Sequence, residues 1–175
     1  MDQIDVITKK VDVLPMVKYY MDQLDIYDIF AKYVIRPSSC PVDPAQILSI
    51  MVVNIVCASH PLYKIQQWVA DYTDGLSENP VNASDYNDDQ LAKNLDRLFD
   101  ADRHSMMCEL SSNAIDVYSL ETNQIHNDST SITLIGEYKI EDSEAVKLKY
   151  GFNKDHRPDC KQIVFGLNIT ADGNV

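Results

Sequence analysis

The segment QIHNDSTSITLIGEY, from Gln124 to Tyr138, holds the residues best suited to chemistry. Asp128 stands at or near the end of a short apolar strand and is followed by the small hydroxyl residues Ser129, Thr130 and Ser131. A carboxylate projecting from a strand among compact neighbours suits close oxygen ligation of a hard divalent cation. The same pattern fits an aspartate solvated at a strand edge or turn, because one carboxylate does not by itself hold magnesium.

A second segment, KLKYGFNKDHRPDCKQ, concentrates charge. Five basic residues (Lys147, Lys149, Lys154, Arg157, Lys161) stand against two acidic ones (Asp155, Asp159), inside a chain of net charge -12. Tyr150 and Phe152 interleave with the cations. Positive side chains with nearby aromatics favour phosphate and nucleotide contacts, and Lys154, Arg157 and Lys161 are the candidate DNA-binding residues. On charge alone, a solvated hairpin fits equally well.

Other constellations are weaker. Asp85, Asn87, Asp89 and Asp96 match calcium-loop positions 1, 3, 5 and 12, but Gln90 occupies the place of the sharp-turn glycine. Asp88 and Asp89 are better explained as acidic residues favoured at a helix start. His60, His104, His126 and His156 lie in different elements without zinc-like or triad-like spacing. Cys40, Cys57, Cys108 and Cys160 form no CxxC pair, so free thiols are expected rather than a zinc site or a disulfide framework.

These residues need a scaffold, and 175 residues with 45% apolar content can build a substantial core. That content excludes intrinsic disorder, and the acidic balance argues against a non-specific nucleic-acid coat. The start, MDQIDVITKK, lacks the pattern of a secretory signal, and no run reaches the length of a spanning helix. A cytoplasmic protein without a membrane partner is the expectation.

The chain changes character near Leu120. All six methionines lie at or before Met107, and four of the five glycines lie after it. Glycine is poor in helix interiors, so a helical part, residues 1–119, followed by a strand-and-turn part, residues 120–175, is predicted. Helices are expected at Leu14 to Asp22, Ile26 to Val34, Pro44 to Ala58, Leu62 to Tyr72, Asp88 to Phe99 and Arg103 to Tyr118. Asp43 before Pro44 is the expected N-cap of the third, an apolar helix predicted to be the buried centre. Leu91, Leu95 and Leu98 should face inward from the fifth, and Met106, Met107, Leu110 and Ala114 from the sixth. A polar loop carries Gly75 and Pro80. Gln124 to Gly136 and Gln162 to Thr170 read as two strands joined by a charged linker, with a turn at Asp172-Gly173-Asn174. Two strands are marginal alone, so an unfinished domain is expected.

Taken in order, HPLYKIQQW, DDQLAKNLDRLFDADR, IHNDSTSITLIGEY and GFNKDHRPDCKQIVFGLNITADGNV resemble the front half of a bacterial insertion-sequence transposase of the DDE class. The branch is the IS-four-like one, with a helical N-terminal domain ahead of a catalytic domain of RNase H-like α/β fold. The resemblance covers nearly the whole chain, and the last two motifs carry it. It implies metal-dependent phosphoryl transfer at DNA, with Mg2+ or Mn2+ held by two Asp and one Glu, and it puts the first Asp at Asp128. The other two carboxylates belong downstream, so this chain is expected to be catalytically inactive and to bind no metal tightly. The implied partners are element-end DNA and a second copy in a homodimer, with no small-molecule substrate. The helical part, with 18 acidic and 9 basic residues over positions 1–118, tilts toward dimerisation or a narrow contact face. A stand-alone helical dimerisation or regulatory module that inhibits an intact transposase is the rival expectation.

Overall fold

Proline and capping residues determine where the helices begin. The computed structural model describes residues 11–38, 40, 42–76, 82–138 and 146–171. The chain divides into two units, Met1–Tyr118 and Ser119–Val175.

The first unit is helical: α1 Leu14–Gln23, α2 Ile26–Tyr33, α3 Pro44–Cys57, α4 Leu62–Leu76, α5 Asp88–Asp100 and α6 Arg103–Tyr118, with a 3-10 turn at Ala83–Tyr86. Asp43 caps α3, accepting a hydrogen bond from the Ala45 N–H at 3.0 Å, with Pro44 in the first turn where its missing donor costs nothing. Asn87 caps α5 by accepting from Gln90 N–H at 3.0 Å, and the acidic Asp88 and Asp89 fill that first turn.

Helix α3 forms the centre of this unit. Ile47, Leu48, Ile50, Met51 and Val53 are buried with Leu14 of α1, Val34, Ile65, Trp68 and Val69 of α4, Tyr86, and Leu91 of α5. The polar intruder Asn54 is also buried; its Nδ2 donates to the His60 carbonyl at 2.9 Å and its Oδ1 accepts from the His60 N–H. Every buried polar group needs a partner, and these two bonds tie the end of α3 to the start of the next helix. Glu109 of α6 accepts from Lys32 Nζ and Tyr33 Oη, each at 2.6 Å, fastening α6 to α2.

Several inward assignments are corrected. Ile55 and Val56 of α3, an apolar helix expected to be buried all round, are exposed on one face, while Asn54 is buried and Cys57 packs against the core in the same turn. Leu95 and Met107 are also exposed; α5 and α6 each bury a narrower stripe, with Leu91 and Met106 innermost and Leu98, Leu110 and Ala114 half-buried. Gly75 lies inside α4 rather than in a loop, while Pro80 falls outside the described residues.

The second unit is an antiparallel sheet of β1 Ile125–Leu134, β2 Lys149–Tyr150 and β3 Lys161–Thr170, in the order β1-β3-β2. Strands β1 and β3 pair along their whole length, Ile125 opposite Thr170 and Leu134 opposite Lys161. The two expected strands are therefore present, with the short β2 as an addition. The charged linker and the Asp172-Gly173-Asn174 turn lie outside the described residues. Ile132, Val164, Phe165 and Leu167 are all exposed on this sheet.

Among the described residues no single helix is long and apolar enough to cross a membrane. The pair Pro44–Cys57 and Leu62–Asp71 meets that test only jointly, across a 90° bend.

Candidate nucleic-acid interface

Strand alternation decides what surrounds Asp128. Residues opposite each other in an antiparallel pair share a face, and so do residues two apart on one strand. Asp128 faces Leu167 across the ladder, and Thr130 faces Phe165. Asp128 and Thr130 thus share one face of β1, and Asp128 is exposed there. Its Oδ1 accepts from the Ser129 N–H at 2.8 Å, and no ion pair engages it among the described residues.

Thr130, Ser131 and Thr133 bond to the basic segment. Lys154 Nζ donates to Thr130 Oγ1 at 3.0 Å, and the Lys154 backbone N–H donates to Ser131 Oγ at 3.2 Å. Thr133 Oγ1 donates to Asp155 Oδ2 at 2.6 Å. The structure therefore brings the HNDST and NKDHRPD segments together, with the Lys154 ammonium on a residue that shares the face of Asp128.

The turn that delivers Lys154 is held from within. Buried Asn153 donates from Nδ2 to the Arg157 carbonyl at 2.8 Å and accepts from the Arg157 N–H at 2.7 Å. His156 within this turn is left-handed, with φ 53°. The turn presents Arg157 to Asp159: Nε donates to Oδ1 at 2.9 Å and Nη2 to Oδ2 at 2.7 Å. Two parallel bonds of this kind are strong among ion pairs. The guanidinium holds the Asp159 carboxyl down at about 2, and that carboxylate raises the Arg157 pKa further.

Lys161, half-buried in β3, donates from Nζ to the Tyr138 carbonyl at 2.9 Å. Lys154, Arg157 and Lys161 are thus each engaged by a different group: a hydroxyl, a carboxylate and a carbonyl. Sequence reading missed both the Asn153 clamp and the Arg157–Asp159 pair; the i, i+2 spacing of opposite charges around Pro158 was the available signal.

Beside these cations, a cleft of about 440 Å³ is lined by Tyr150, Gly151, Phe152, Asn153, His156, Arg157 and Pro158. Gly151 lies against the end of the Gln162 side chain, which a Cβ at that position would displace.

Among the described residues no three His, Cys, Asp or Glu side chains gather closely enough to hold a metal ion. One carboxylate leaves most of a magnesium ion's coordination to water. Asp85 lies in the 3-10 turn, Asp88 and Asp89 in the first turn of α5, and Asp96 further along that helix. The cysteines are free thiols: Cys40 and Cys160 buried, Cys57 half-buried and Cys108 exposed.

Residues 6–112 match a protein family described as a domain of unknown function, DUF4277, and the chain belongs to that family. The match lies within the helical unit, so Asp128 and the basic segment fall outside it. No curated protein and no solved structure matches the chain.

Proposed function

We propose that this chain is the N-terminal part of a DDE transposase, with a helical domain followed by the opening strands of an RNase H-like core. Asp128 contributes one ligand to a divalent-metal site in that reading, and further carboxylates must come from elsewhere in the enzyme. The observation that carries the reading is the environment of Asp128: exposed, on an open sheet face, with a lysine-bearing turn bound to the same strand. A carboxylate enclosed in an apolar interior could not reach a phosphodiester.

In the intact enzyme, element-end DNA is the substrate, and Lys154, Arg157 and Lys161 supply phosphate contacts. An in-frame continuation beyond codon 175 that encodes a second Asp and a Glu supports this reading, and its absence contradicts it.

A second reading makes the helical unit a dimerisation or regulatory module. It is favoured by exposed aromatic residues on two helices: Tyr19 and Tyr20 of α1 contact edge to face at 5.5 Å, and Tyr20 lies 6.4 Å from Tyr118 of α6. Sedimentation velocity of the chain tests it; a monomer at every concentration removes it.

A further inference from the structure

We infer that the cleft between Tyr150, Phe152, His156 and Arg157 binds an unpaired base of single-stranded DNA. This inference rests on the reading of the chain as a DNA enzyme and names a contact which that reading does not contain.

Size, chemistry and rigidity support it. The volume, about 440 Å³, lies within the range of small-ligand sites and accommodates one nucleobase. Phe152 is fully exposed and Tyr150 is 65% exposed, so both rings are open to stacking. Every base has a π-face, and aromatic platforms beside cations are how single strands are held without sequence preference. The Arg157–Asp159 pair engages Nε and Nη2 of the guanidinium and, among the described residues, leaves the Nη1 donors for a base edge or a phosphate.

The backbone that carries the walls is held by the sheet and by the Asn153 clamp. Tyr150 pairs with Lys161 in the sheet, Gly151 packs against Gln162, and the Asn153 clamp sets the turn that carries His156 and Arg157. Charge selects nucleic acid over an apolar peptide as the occupant: the stretch Lys147–Lys161 carries five cations and two anions in a chain of net charge -12. Duplex bases are stacked inside the helix, so the base must be unpaired.

The experiment is fluorescence anisotropy of the full chain with a labelled oligothymidylate of about 12 nucleotides, compared with an abasic strand of equal length. The thymidylate should bind more tightly than the abasic strand. Phe152→Ala should weaken thymidylate binding about tenfold and bring the two probes together, with the salt dependence unchanged because no charge is removed. Phe152→Trp should restore the difference, and as an exposed position it leaves the core intact. Equal binding of the two probes by the wild-type chain overturns the base site while leaving phosphate contacts standing. Failure to bind any probe, duplex included, overturns the DNA reading as well. If Phe152→Ala leaves DNA binding unchanged but converts an oligomer to a monomer, the aromatic pair serves a protein contact and the proposal falls.

Discussion

Lys154 reaches across to Thr130, its Nζ donating to Oγ1 at 3.0 Å, on the strand face that also carries Asp128. This contact joins two segments 24 residues apart and ties the basic turn to the strand that carries Asp128. Lys154→Ala should therefore weaken DNA binding and flatten its log–log salt slope by about 0.7–0.9, the share of one phosphate contact. An unchanged slope in a salt titration would return Lys154 to a purely structural role. The triple change of Lys154, Arg157 and Lys161 to Ala should flatten the slope further.

Arg157 should behave differently, because Asp159 already neutralises it. Asp159→Asn frees the guanidinium and should tighten DNA binding with a steeper salt slope, the opposite sign to Lys154→Ala. The pair also sets a pH window. Asp159 is depressed from its ordinary value to about 2, so the folded-state contribution of the pair is complete above the ordinary carboxylate range. It is lost as pH falls through about 2. Carbon-detected NMR should place the Asp159 midpoint there, and Arg157→Ala should return it toward the unperturbed range near 3.9.

The helical unit depends on its capping and its central contacts. Asp43 caps α3 and also accepts from Tyr27 Oη and Arg36 Nη1, each at 3.3 Å. Asp43→Ala should destabilise by about 0.5–2 kcal/mol. Leu91, fully buried against the α3 core, should cost about 2–5 kcal/mol as Leu91→Ala. Urea denaturation followed by circular dichroism measures both, and a smaller loss for Leu91→Ala than for Asp43→Ala would contradict the core assignment.

Thiol chemistry provides a check on burial. Cys108 is exposed on α6, whereas burial and the nearby Asp12 carboxylate raise the Cys57 thiol. The thiolate is the reactive form, so Cys108 should label first with a disulfide reagent and Cys57 later. Cys40 and Cys160, both buried, should react only on unfolding.

The helices were legible because their boundaries rest on local chemistry. Asp43-Pro44 and Asn87-Asp88-Asp89 carry their own capping signals, and the apolar run of α3 had to be central. What each helix faces is not local, which is why Ile55, Val56, Leu95 and Met107 read as inward and are exposed. Strands β1 and β3 were legible from their Ile, Thr and Val content. The two-residue β2 was not, since its pairing with Lys161 and Gln162 is set by β3 rather than by its own residues. Asp128 could be singled out by its neighbours, but the arrival of Lys154 at Thr130 depends on the Asn153–Arg157 clamp, a tertiary arrangement without a sequence period.

Asp128 is proposed as a metal-binding carboxylate of a DNA-cleaving enzyme. The direct measurement is Mg2+-dependent strand cleavage of element-end DNA by a protein that carries this chain and its downstream reading frame, wild type against Asp128→Asn, with binding of the same DNA followed in parallel. Cleavage at background in Asp128→Asn with end binding intact is the predicted result. Cleavage equal to wild type in that variant would contradict it.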